Sequence, residues 1–187
     1  NNGKYPNTKD YPNQVKELME YIHGKEHPVY TVKATPLGET VPPIWMLGSS
    51  DTSAQLAARL GTSYTFAQFI NGDGGRNAMK FYYNQFQASE HLDKPQGNVA
   101  VFVICMETEE EAENYGAIMD LQLLRVENGD FREHYPTLEE AIHYPYSPFE
   151  KERLKHNRKR MIIGNQKKVR EQLEELAASY GVDEIIV

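Results

Sequence analysis

Between an apolar run and an alanine-rich one, the chain reads Gly48-Ser49-Ser50-Asp51-Thr52-Ser53. Small hydroxylated residues behind a glycine, where a strand hands over to a helix, can do two kinds of chemistry. They can cap the helix: Ser50 or Asp51 supplies an oxygen to the first backbone N–H groups, which have no partner within the helix. They can also hold an anion, phosphate above all. The helix dipole is positive at this end, Gly48 allows close backbone approach, and Ser49, Ser50, Thr52 and Ser53 add hydroxyl donors. The run is neither a Walker A loop, since no Gly-Lys-Ser/Thr follows, nor a GxGxxG fingerprint. On spacing alone the cap, the commoner role, takes precedence over the cradle, and Asp51 opposes an anion unless its carboxylate points away.

Other reactive side chains favour plain roles. His23 and His27 lie four apart, but Gly24 and Pro28 break the helix that would align them, and no His/Cys set has metal-ligand spacing. No metal site is expected. "NGDGG" (71–75) has the glycines of a phosphate loop without their order and reads as a flexible loop. Cys105 lies in an apolar run and reads as an inert buried thiol. Tyr64, Phe66 and Phe69 could line a ring pocket, although strand aromatics more often form core. The glutamates 109, 110, 111 and 113 suit a helix start. "KERLKHNRKR" (151–160) suits a solvated helix face or a mobile loop better than a nucleic-acid patch.

The elements that must position these groups follow from periodicity. Pro12 opens a helix carrying Val15, Leu18, Met19 and Ile22, and Gly24 stops it. "PVYTVKATP" (28–36) alternates like a short strand. Ile44–Leu47 predicts a buried strand, Asp51–Leu60 a helix closed by Gly61, Ser63–Ile70 a strand, and Asn77–Ala88 a helix. Asn98–Met106 is nearly continuous β-branched and apolar sequence, as in a strand covered on both faces. Thr108/Glu111 and Thr137/Glu140 are capping boxes. Met161–Ile163 is a short apolar segment, Asn165 caps a last helix ended by Gly181, and "DEIIV" is a final strand. Strands alternating with helices predict an α/β fold with a parallel sheet.

The 187 residues suit one domain, 1–187, with an excursion over 127–160 expected to be mobile. A net charge of -7 argues against nucleic acid and anionic membrane as main partners. No apolar run is long enough to span a bilayer. One cysteine excludes an internal disulfide and suits a cytoplasmic setting. The chain opens Asn1-Asn2-Gly3 rather than with Met, as a processed product or fragment does.

"PPIWMLGSSDTSAQLAARLGTSYTFAQFI" resembles the core segment of the bacterial luciferase-like flavin monooxygenases. The resemblance continues in order through "YYNQFQAS", "NVAVFVICMETEEEAE", "YPTLEEAIHYPYSPFE" and "IIGNQKKVREQLEELAASYGVDEIIV". It implies a partial (β/α)₈ TIM barrel, roughly strands five to eight, with the N-terminal half of the barrel missing. It also implies a flavin, FMN ahead of a reduced deazaflavin. Gly48, Ser49, Ser50, Thr52 and Ser53 match the family's phosphate-binding positions, and the resemblance tips the balance from cap to cradle. The implied activity is oxidation of a small organic substrate by reduced flavin and O₂, with a flavin reductase as supplier. The alternative is a non-catalytic flavin-binding or flavin-free half-barrel, stable only as an oligomer. Four strands cannot close a barrel by themselves, so pairing with another copy or with the missing half is expected.

Overall fold

The computed structural model describes residues 10–25, 33–36, 38, 40–132 and 134–187. Helix α1 (Tyr11–Ile22) starts with Pro12 in its first turn and buries Val15 and Met19, whereas Leu18 faces solvent. The expected strand over 28–36 and His27 fall mainly outside the described residues.

The predicted alternation then appears: β1 (Trp45–Gly48), α2 (Asp51–Leu60), β2 (Ser63–Ala67), α3 (Gly75–Gln85), β3 (Gly97–Ala100) and β4 (Phe102–Met106). It continues with α4 (Glu109–Glu127), α5 (Leu138–His143), α6 (Pro148–Arg158), β5 (Met161–Asn165), α7 (Gln166–Tyr180) and β6 (Ile185–Ile186). Strands β1, β2, β3 and β6 form one parallel sheet in that spatial order. Strands β4 and β5 form a second parallel pair.

The sheet has two unlike faces. Met46, Tyr64, Phe66 and Val99 pack on alanines of α2, on Ala78, Met79 and Tyr82 of α3, and on Val169, Leu176 and Tyr180 of α7. The register places Leu47, Thr65, Ala67, Ala100 and Ile186 on the opposite face. Its central side chains are small and buried, while Leu47 and Ile186, on the marginal strands, are exposed. Among the described residues, no further strand bonds to β1 or to β6.

Several expectations change in detail. The strand predicted over Asn98–Met106 changes partner at Val101. Val101 N–H still donates to Ile186 O (3.0 Å), and Phe102 N–H donates to Arg160 O (3.2 Å). Only the first part is covered on both faces. In β4 the side chains of Phe102, Ile104 and Met106 pack in a second small core with Ala112 of α4. Cys105 points to the other side and is exposed, which overturns the buried-thiol reading. Its register partner is Gly164, which has no side chain to cover it. Strand β2 stops at Ala67, and the chain turns through Gln68–Ile70. Helix α3 begins two residues earlier than predicted because Gly74, at φ 79°, bends the loop straight into it.

Residues 127–160 contain two helices. Both predicted capping boxes form, and a third, Ser147/Glu150 behind Pro148, starts α6. The basic run 151–160 is therefore mostly helix. Arg158 forms ion pairs with Asp120 (2.7 Å) and Glu113 (3.0 Å) of α4. Arg153 and Arg160 both reach Glu127, at 2.7 and 2.9 Å.

Candidate functional site

In a parallel sheet every strand ends on the same side, and open α/β sheets bind ligands there. The turn after β1 lies on that side. Gly48 is the last residue of β1, and Ser50 is the N-cap of α2, its backbone extended at φ -144° and ψ 161°. Ser53 N–H donates to Ser50 Oγ (3.4 Å) and Ser50 N–H to Ser53 Oγ (3.3 Å), a reciprocal capping box. The Ser53 hydroxyl donates to Ser50 O at 2.6 Å. The cap read from spacing is thus present.

Beneath this turn lies Tyr64, fully buried. Its hydroxyl donates to Gly48 O (3.2 Å) and lies 3.1 Å from Ser53 Oγ. Burial pushes its phenol up to about 12, with the Ser53 hydrogen bond pulling weakly the other way, so it stays protonated. From the neighbouring loop, Asn71 Nδ2 donates to Ser49 O at 3.1 Å and so ties the turn after β1 to the turn after β2. Gly48 is close-packed: a Cβ there would meet Cβ and Oγ of Ser53. The close approach that demands glycine is made by Ser53.

The five residues singled out by sequence are not all brought together. Gly48, Ser49, Ser50 and Ser53 share one turn. Thr52 faces elsewhere, into an opening of about 420 Å³ shared with Tyr11 and Pro12 of α1 and Phe81 of α3. Tyr64 and Asn71 also bond to this turn, which spacing does not show. The sequence alone offers Tyr64 as a ring-pocket or core residue and Asn71 as part of a glycine loop. Phe66 packs on Tyr180, with ring centroids 5.9 Å apart, so its role is in the core.

A second opening on the same side, about 520 Å³, is lined by Gln68, Gly75, Arg76, Lys159 and Tyr180. It contains the start of α3, where Gly74 supplies no side-chain cap. Lys159 Nζ reaches Asp73 at 2.9 Å across its rim. Among the described residues no cluster of three or more His, Cys, Asp or Glu is arranged for a metal ion. Nor is any helix there long and apolar enough to cross a membrane.

Parallel strands that end beside capped helix starts define an α/β fold class. The comparisons narrow it: the family profile of luciferase-like monooxygenases matches residues 2–184, and the chain belongs to that family. Its sequence is 43% identical over 190 residues to the uncharacterized protein YwcH of Bacillus subtilis, covering 100% of this chain and 57% of YwcH. It is 28% identical over 178 residues to the luciferase-like monooxygenase of Escherichia coli K12, covering 95% of this chain and 52% of that protein. The solved structure of apo-MsnO8 superposes with a TM-score of 0.83 at 29% identity, covering 100% of this chain and 56% of MsnO8. At 18% identity and a TM-score of 0.54, the fold also matches the oxygenating constituent of Pseudomonas putida 3,6-diketocamphane monooxygenase in complex with FMN, over 100% of this chain and 57% of that one. A coenzyme F420-dependent reductase from Methanopyrus kandleri shares it at 16% identity and a TM-score of 0.52, over 94% and 56% of the two chains. The chain therefore spans little more than half the length of the relatives it matches.

Proposed function

We propose that this chain is the phosphate-holding part of a flavin-dependent monooxygenase that oxidises a small organic substrate with reduced flavin and O₂. The observation that carries the reading is the serine-lined start of α2 at the end of β1, in a chain of the luciferase-like family. The hydroxyl and N–H donors of the turn fit a phosphate, while the Asp51 carboxylate, near enough to raise the Tyr64 phenol, works against it. The first N–H groups of α2 have no acceptor within the helix, and the hydroxyls of Ser49, Ser50 and Ser53 lie on the same turn. Ser50 Oγ accepts from Ser53 N–H and keeps its own proton to donate, and Ser53 can turn its proton from Ser50 O to an anion, so both capping hydroxyls can serve as donors. FMN is favoured over a deazaflavin because a terminal phosphate monoester suits so compact a donor set.

Bound and reduced, the flavin supplies the two electrons that let O₂ place one oxygen atom in the substrate and release the other as water. The chain's own residues bind and orient it. Leu47 and Ile186, exposed on the marginal strands, give apolar surface against which a flat ring can rest. Keeping water out requires a second wall. That wall is proposed to be a further β/α half of the same barrel, with this chain as strands five to eight, or else a second copy of this chain. A separate reductase would deliver the reduced flavin, and the single thiol suits the cytoplasm.

The test compares FMN with riboflavin, which lacks the phosphate. The Ser50→Ala/Ser53→Ala double variant is expected to weaken FMN binding by at least tenfold and leave riboflavin binding unchanged, since hydrogen bonds to a charged group are worth about 1.5–3 kcal/mol each. Arg76→Ala, at the start of α3, should change neither. A phosphate seated at α3 reverses that pattern and removes the assignment.

A further inference from the structure

The hydroxyls of Ser53 and Tyr64 share two protons among three acceptors. Ser53 lies closest to Ser50 O, at 2.6 Å, and donates there. Tyr64 then faces Ser53 Oγ at 3.1 Å and Gly48 O at 3.2 Å, two acceptors at nearly equal range for a single proton. Ser50 O does not depend on Ser53, because it also accepts from Ala54 N–H at 3.3 Å. Ser53 is thus the member of the group that can turn its proton elsewhere without stranding a buried acceptor.

We propose that Tyr64 is a positioning residue for the anion at this turn, acting through Ser53; the proposal rests on the reading of the turn as a flavin-phosphate site. When a phosphate oxygen arrives at the start of α2, Ser53 redirects its proton from Ser50 O to the anion. Tyr64 then donates to Ser53 Oγ, completing a chain from Tyr64 to Ser53 to phosphate. A hydroxyl that accepts a hydrogen bond is a stronger donor in turn. Without the anion, Tyr64 donates to Gly48 O. Tyr64 is a permanent donor across the physiological range, and its burial keeps water from replacing it.

The experiment titrates FMN, riboflavin and inorganic phosphate against the 187-residue chain and against Tyr64→Phe, Ser53→Ala and the double variant. Tyr64→Phe is expected to weaken FMN about fivefold, with riboflavin affinity unchanged, as loss of one relay hydrogen bond implies. In the double variant the loss should be no more than about twofold beyond Ser53→Ala alone, because the two act as one unit. Equal loss of both ligands in Tyr64→Phe, no loss of either, or fully multiplicative effects in the double variant would overturn the relay. A parent chain that binds FMN and riboflavin alike overturns the phosphate reading itself, and with it this proposal. Should Tyr64→Phe fail to fold, Tyr64→3-fluorotyrosine keeps the hydroxyl and reports by ¹⁹F resonance. The relay requires the signal to move with inorganic phosphate or FMN and to stay put with riboflavin; an unmoved signal in saturating FMN rejects it.

Discussion

Gly48 and Ser53 touch so closely that Gly48→Ala forces one of them to move, with an expected loss of about 1–3 kcal/mol of stability, read from the urea midpoint. Glu127 offers a test by pH. Burial alone would raise its carboxyl, but hydrogen bonds from Arg153 and Asn157 and the charges of Arg153 and Arg160 more than offset this and hold it below its ordinary 4.5. A depressed carboxyl stabilises the fold above the unfolded value, and that contribution vanishes as pH falls through the lower folded value. Glu127→Gln should therefore denature earlier than the parent at pH 7, and the gap should narrow as the pH is taken below 4.5. At this scale the sequence showed what is local. Ser50 as a cap needs only its neighbours three residues on. The link from Tyr64 to Ser53 spans a strand and a helix, and no spacing rule reports it. Cys105 was misread for a related reason: its own strand is apolar, but its exposure depends on Gly164 in another strand.

Among the elements, most are legible from periodicity, and two of the four capping boxes, at Thr108 and Thr137, from their spacing. Ser147-Pro148-Phe149-Glu150 was as legible as the boxes at Thr108 and Thr137, and it explains why a strongly charged stretch is helical. Thr108→Ala should cost about 1 kcal/mol, with the loss visible as a lower thermal midpoint. The packing of α6 on α4 was not legible, since it depends on which charges meet. Asp120 is nearly buried and takes two Arg158 nitrogens at 2.8 and 2.7 Å. Asp120→Ala leaves the guanidinium half-compensated by Glu113 and should lower stability by about 2–3 kcal/mol. Fast proteolysis within 144–160 of that variant, with the parent resistant, would locate the damage in α6; equal resistance would contradict the pairing described. The mobility expected over 127–160 is then proposed for its exposed connections, where Phe131 and Tyr135 face solvent, rather than for α6 itself.

For the whole molecule, alternation of strand and helix was enough to predict a parallel sheet, because each βα unit declares itself by a change of period. The change of partner at Val101 was invisible, since a β-branched run looks the same whichever strand lies beside it. Among the described residues the sheet has two open margins, with Leu47 and Ile186 exposed, which predicts association: sedimentation at micromolar concentration should show a species larger than one chain. A stable, fully folded monomer would sink that expectation. One further consequence follows from the strand that runs from Gly97 to Met106 and serves two sheets in succession. It works as a common rail: its first half is locked between β2 and β6, and its second half carries β5 alone. Deuterium uptake should therefore step along a single strand, slow at Val99 and Ala100 and faster at Ile104 to Met106. Anything that grips β5 from outside should slow the fast half and leave the slow half untouched.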